Sequence, residues 1–162
     1  MIVKYQKSFS SVDFNCENSD LNSYIKTIAS QDIKRNLCTV WVKIKDNKII
    51  GFYTLSPFAL LLSELPEPMA KKFPKGKHIP CWLIGKMARD KSVVKQGVGR
   101  ELILDALHKV KEIGKIITGY CVIVDSKDMK SDAFYKSYGF KVLDETKNER
   151  RYYLPLNAIP DI

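Results

Sequence analysis

The sequence lacks most of the features that would place it at once. Its four cysteines, Cys16, Cys38, Cys81 and Cys121, form no C-x-x-C pair and match no zinc-ligand spacing. Cys38, Cys81 and Cys121 lie in apolar runs, where a free thiol acts as a small hydrophobe. The expectation is a reduced, cytoplasmic protein without a metal. The opening MIVKYQKSFS has no signal-peptide core, and no apolar run approaches the roughly 20 residues of a membrane span. No membrane partner is expected. Neither a G-x-x-x-x-G-K-[ST] loop nor a G-x-G-x-x-G fingerprint occurs, which argues against nucleoside triphosphates and dinucleotides. No internal repeat or low-complexity tract is present, and the composition excludes a disordered tail protein, a collagen-like chain and a bare coiled coil.

What the chain does have is positive charge. It carries 27 Lys plus Arg against 18 Asp plus Glu over 162 residues, a net +9. Residues 1–81 hold 12 basic and 7 acidic residues (+5), leaving 15 and 11 (+4) for residues 82–162. With no basic arm or acidic tail, an electrostatic partner must meet a folded surface. The excess favours a polyanion: RNA, DNA, an acidic membrane or a phosphorylated cofactor. The plain alternative is an alkaline soluble enzyme. The length and the 45% hydrophobic content fit a single domain over residues 1–162.

Periodicity and turn chemistry predict the elements. Ile2 to Tyr5 reads as an edge strand. Asn18–Asp20 offer N-cap side chains to an amphipathic helix ending near Arg35, with Leu21, Tyr24, Ile25, Ile28 and Ala29 on one face. Cys38 to Lys45 and Ile49 to Leu55 form a hairpin around Asp46-Asn47-Lys48, the second strand central because both faces are apolar. Residues 56–79, broken by Pro66, Pro68 and Pro74, read as a long loop with a short helix at Leu60–Leu65. Then come a buried strand (Cys81–Ala88), a helix (Gly97–Ile113), a strand (Thr118–Val124), a short helix (Ser131–Tyr138) stopped by Gly139, and a hairpin of Phe140–Leu143 with Arg151–Leu154. The strand–helix–strand over 81–124 implies a parallel pair. The class is α/β or α+β with a mixed sheet.

Two stretches carry chemistry. In residues 81–107 a buried strand ends, a polar turn follows, and Gly97-Val98-Gly99 opens a helix. Free N–H groups and the dipole at a helix N-terminus favour a phosphate, and glycines admit it close to the backbone. Lys95 and Arg100 add charge. In residues 125–140, polar residues follow a buried strand, and Tyr135 and Tyr138 lie on the helix after it. A tyrosine hydroxyl can protonate a leaving group of similar basicity; the alternative is that these aromatics only pack.

The element order resembles the GNAT superfamily of N-acetyltransferases. Its Arg/Gln-x-x-Gly-x-Gly/Ala pyrophosphate motif falls on Val94–Gly99: Gly97 and Gly99 match, while Val94 departs, so a side-chain contact there is lost. Lys95 or Gln96 would partly substitute. The chain is more closely similar to the GNAT toxins of bacterial toxin–antitoxin pairs. Phe14-Asn15-Cys16-Glu17-Asn18 with Leu21 and Tyr24, Gln31-Asp32 with Lys34-Arg35, Ile50–Ser56, Ile84–Asp90, and Ala133-Phe134-Tyr135 with Tyr138-Gly139-Phe140 resemble that branch's segments in order.

The resemblance implies a GNAT fold: a mostly antiparallel mixed sheet, flanked by helices, with one parallel, splayed strand pair. It implies acetyl-CoA held by Met87, Ala88 and Arg89 of the fourth strand, by Lys95, Gln96, Gly97, Val98, Gly99 and Arg100, and beside Phe134. Tyr135 takes the place of the tyrosine that protonates the CoA thiolate. The acceptor implied is the α-amino group of an aminoacyl-tRNA, whose acetylation halts translation, and the implied partner is a ribbon–helix–helix antitoxin. An exposed edge strand would also allow a homodimer. An α-amine with a pKa near 7.7–8.0 is partly neutral at cell pH, so a dedicated base is less needed than for lysine. Neither His78 nor His108 is a convincing one. Lys71, Lys72, Lys75 and Lys77, with Lys34 and Arg35, are candidate tRNA contacts; the alternative is a solvated loop. The rival functions are a GNAT enzyme acting on a protein N-terminus, a lysine or a small amine, and a non-catalytic module binding CoA or nucleic acid.

Overall fold

The computed structural model describes residues 1–144 and 150–161. Among them the elements run β1 (Ile2–Lys4), α1 (Ser19–Ser23), a π-helical turn (Tyr24–Ile28), α2 (Ala29–Lys34), β2 (Thr39–Lys45), β3 (Lys48–Leu61), α3 (Glu67–Ala70), β4 (His78–Arg89), α4 (Val98–Gly114), β5 (Cys121–Ser126), α5 (Met129–Ser137), β6 (Lys141–Asp144) and β7 (Arg150–Pro155). Short 3-10 turns occupy Leu62–Glu64, Lys91–Val93 and Leu156–Ala158. The strand order is β1-β2-β3-β4-β5-β7-β6, antiparallel throughout except for the β4–β5 pair. The chain divides into two compact units, Met1–Ser56 with Ile84–Ala106 and Pro57–Leu83 with Leu107–Ile162.

In the first unit, Asn18 caps α1 by accepting the Asp20 and Leu21 N–H groups at 3.1 Å, as its residue type predicts. Asp46 and Asn47 both have positive φ (50° and 61°), the signature of a type I′ turn, and they set β2 against β3 with Val42 opposite Phe52. The core under α1 and α2 gathers Phe14, Tyr24, Ile25, Ala29, Val40, Val42, Ile49, Phe52 and Ala88. Phe52 meets Phe14 edge-on at 5.6 Å and Tyr24 stacked at 6.0 Å. Gly51 is bare for a packing reason: a Cβ there would lie 3.0 Å from Val98 and 3.1 Å from Leu102 on α4.

In the second unit, β5 and β6 pair antiparallel with β7, and Leu60, Leu65, Ile79, Cys81, Cys121, Ile123 and Leu143 form the core. The Cys81 and Cys121 thiols lie 3.4 Å apart, both buried. Gly119 is closed to any side chain, because a Cβ would fall 2.2 Å from the Trp82 ring.

Several boundaries differ from the sequence reading. The loop expected at 56–79 is largely structured. β3 continues to Leu61, because β2 begins only at Thr39, opposite Leu55, and leaves β3 beyond Leu55 without a β2 partner, where Pro57 needs no N–H partner. The helix expected at Leu60–Leu65 is a three-residue 3-10 turn, and His78 opens β4 rather than lying in the loop. The helix expected from Asn18 to Arg35 is split by the π turn. β5 starts at Cys121, three residues later than expected, beyond the Gly119–Trp82 contact.

Candidate active site

In the first unit, β4 brings Met87 and Arg89, both half-buried, and the buried Ala88 to the Asp90–Gly97 turn. Asp90 caps the turn: its carboxylate accepts the Ser92 N–H at 2.9 Å and the Asn15 N–H at 2.8 Å. Lys91 donates its N–H to the Asn15 carbonyl at 2.8 Å. Lys95 (φ 64°) and Gly97 (φ 81°) are both left-handed, a conformation that costs a β-carbon-bearing residue energy, and within the turn Val94 and Gln96 donate their N–H groups to the Lys91 and Val93 carbonyls. α4 then starts at Val98, so the amides of its first turn have no partner within the helix. A Cβ at Gly97 would meet nothing within 4 Å, so the turn is open to a ligand. The open turn and the amides that begin α4 fit a pyrophosphate, with exposed Lys95 and Arg100 beside them. Gln96 is less available than expected, since its side-chain amide braces the turn on the Ser92 carbonyl at 3.2 Å. Val94 is 41% exposed, with no packing role that would forbid a polar replacement.

In the second unit, α5 carries Tyr135. Asp128 caps the helix by accepting the Ser131 N–H at 2.7 Å. The helix ends in a Schellman motif: Gly139 (φ 93°) donates to the Lys136 carbonyl at 3.0 Å and Phe140 to the Tyr135 carbonyl at 3.3 Å. The Tyr135 ring is fixed edge-on by Phe134 at 5.4 Å and Phe140 at 5.7 Å and is 8% exposed. Burial, with the carboxylates of Asp125 and Asp128 adding to it, pushes its hydroxyl up to about 12. The group is a proton donor across the physiological range. Asp125 is held in turn by Arg151 through two bonds of 2.8 and 3.1 Å.

The candidate nucleic-acid contacts are exposed and divide between the units. Lys34 and Arg35 end α2 in the first; Lys71, Lys72, Lys75 and Lys77 lie between α3 and β4 in the second, with Lys71 paired to Glu67 at 3.4 Å. His78 and His108 are exposed side chains of the second unit. Sequence reasoning assigned no role to Asp90, although an aspartate just before a Lys-Ser turn is an Asx-turn signal. It also passed over a polar cluster in the first unit. The Tyr24 hydroxyl donates to Asp32 at 3.1 Å and lies 3.3 Å from the Cys38 sulfur, and the Lys86 ammonium sits 4.4 Å above the Tyr24 ring. Among the described residues no group of three or more His, Cys, Asp or Glu could hold a metal, and no helix is long and apolar enough to cross a membrane.

Comparison with known proteins places this geometry. The chain is 26% identical over 155 residues to the probable toxin TacT of Sinorhizobium fredii (strain NBRC 101917 / NGR234), covering 90% of this chain and 84% of TacT. It is 21% identical over 129 residues to the tRNA-acetylating toxin of Mycobacterium tuberculosis (strain ATCC 25618 / H37Rv), covering 80% and 76%. Its fold matches the solved structure of AtaT complexed with acetyl-methionyl-tRNAfMet with a TM-score of 0.85, at 23% identity over 97% of this chain and 95% of that one. AtaT has also been solved with the C-terminus of its antitoxin AtaR and acetyl-CoA. The model of the Acetyltransferase (GNAT) family matches residues 5–140, most of the sequence, and the chain belongs to that family.

Proposed function

We propose that this protein transfers the acetyl group of acetyl-CoA to the free α-amino group of an aminoacyl-tRNA and so acts as the toxin of a toxin–antitoxin pair in the cytoplasm. The observation that carries the reading is the likeness to a protein named as a tRNA-acetylating toxin over 80% of the chain, joined by the match of 97% of the chain to AtaT in complex with acetyl-methionyl-tRNAfMet. Residues 1–162 are read as one acetyltransferase domain, which a family match running through both units supports. An antitoxin partner follows from the AtaT–AtaR complex.

The turn at Lys95–Gly97 and the first turn of α4, with Gly99 and Arg100, would hold the pyrophosphate, and Met87, Ala88 and Arg89 would line the pantetheine arm; the family resemblance adds Phe134 as a further cofactor contact. Acetyl-CoA supplies the acetyl group as an activated thioester. The neutral amine nitrogen forms the new C–N bond as the C–S bond breaks. Tyr135 gives its Oη proton to the departing sulfur, and the amine's surplus proton passes to solvent. A high phenol pKa is compatible with this, because burial also raises the basicity of a thiolate in the same apolar surroundings. The reaction is tested by incubating the protein with labelled acetyl-CoA and bulk charged tRNA. Label in N-acetyl-aminoacyl-tRNA is the expected result, and no labelled tRNA from any charged species overturns it.

A further inference from the structure

Lys86 is half-buried on β4, immediately before Met87, and the roles set out above leave it unused. Its main-chain N–H donates to the Thr54 hydroxyl at 3.0 Å. Its ammonium rests 4.4 Å above the Tyr24 ring, which is itself immobilised: Phe52 stacks on it, and its hydroxyl is tied to Asp32 and Cys38. Among the described residues no carboxylate lies within ion-pair distance of Lys86, whereas Lys43, Lys48, Lys71, Lys111 and Lys115 each have one. A partly desolvated cation on a rigid aromatic seat, without a counter-ion, is poised for an anion. Asp32, which fixes the seat, stands two and three positions before the exposed cations Lys34 and Arg35.

We infer that Lys86 binds a phosphodiester at the 3′ end of the acceptor tRNA and is a specificity-determining residue for that substrate. The inference rests on the aminoacyl-tRNA reading above. The anion follows by elimination. The α-amine is neutral or positive and is repelled by an ammonium. The carboxyl group of the amino acid is esterified and carries no charge. Apart from the side chain of an acidic amino acid, the phosphodiesters are the remaining anions at the acceptor end. A lysine holding one would admit charged tRNA and give no advantage to a phosphate-free amine.

The test compares Lys86→Met, Lys86→Gln and Lys86→Arg with the unmodified protein on two acceptors, a charged tRNA and the methyl ester of the same amino acid. Acetyl-CoA binding and the unfolding midpoint are followed alongside. For Lys86→Met and Lys86→Gln the expected result is a roughly tenfold rise in KM for charged tRNA with kcat nearly kept. The slope of log(kcat/KM) against log salt should become shallower by about 0.7–0.9. Methyl-ester acetylation should be unchanged, and Lys86→Arg should restore the tRNA KM. An unchanged KM and salt slope, or an equal loss with the methyl ester, overturns the inference. If the unmodified protein acetylates the methyl ester but no charged tRNA, the aminoacyl-tRNA reading fails first and this inference falls with it.

Discussion

The carboxylate of Asp90 accepts the main-chain N–H of Asn15, 75 positions earlier in the chain, at 2.8 Å, while its other oxygen takes the Ser92 N–H at 2.9 Å. One side chain therefore clasps the segment before α1 to the turn that opens α4. Burial raises the carboxyl, but the donors from Ser92 and Asn15 outweigh it and hold the group below the usual carboxylate range. A group depressed in the folded state stabilises the fold at every pH above its unfolded value, near 3.9, and that contribution is lost as pH falls through the folded value. Asp90→Ala should cost about 1–3 kcal/mol at pH 7. Urea unfolding measured from pH 7 down to pH 2 should show a smaller acid-dependent loss in the variant than in the parent. Equal stability at pH 7 would remove the clasp.

Tyr135→Phe keeps the ring contacts with Phe134 and Phe140 and removes only the hydroxyl. Turnover should fall by about 10–100-fold or more, with acetyl-CoA affinity nearly unchanged. Because the hydroxyl titrates near 12, the parent should show no alkaline loss of kcat from this group below about pH 11. Stopped assays across pH 6–10.5 check both points, and full turnover in the variant would strike Tyr135 from its role.

The turn proposed to hold the pyrophosphate makes two opposite predictions. At Gly97, with φ at 81°, alanine meets no neighbour but must hold a left-handed backbone at a cost of about 1–2 kcal/mol. Gly97→Ala should weaken acetyl-CoA several-fold. Val94→Arg places a guanidinium at an exposed position beside the same turn and should tighten acetyl-CoA at little expense to stability. Calorimetric titration of both variants decides; a weaker complex in Val94→Arg would mean the turn does not face phosphate.

Replacing Lys71, Lys72, Lys75 and Lys77 together by alanine should lower affinity for charged tRNA and flatten its salt dependence, leaving acetyl-CoA binding alone. Filter binding between 50 and 200 mM salt, a range chosen because phosphate contacts respond steeply there, is the measurement. An unaltered salt slope would make this segment a solvated surface only.

What could be read beforehand was what local chemistry dictates. The Asn18 cap, the Asp46-Asn47 turn and the Gly139 stop each declare themselves through side chains that bond or bend their own backbone. The central position of β3 showed in its two apolar faces. The extension of β3 past Pro57 was hidden, because a proline ends a strand only where a neighbour needs its N–H, and that depends on where β2 begins. At the site, Gly97, Gly99 and Tyr135 were legible as motif positions. For Asp90 only the local bond to Ser92 has a sequence signal; its bond to Asn15 and the seat of Lys86 on Tyr24 have none, since these partners lie 75 and 62 residues away.

Gly119, pressed against the face of Trp82, has a consequence for anyone ranking residues by mutational tolerance. A saturation scan should reject every substitution there, although the position touches no substrate in the proposed reaction. The same scan should accept nearly anything at Val94, which borders the phosphate turn. A heat map of this chain would therefore mark a scaffold position as essential and pass over one that borders the proposed phosphate site. Only pairing survival with a ligand-affinity screen would reverse that order.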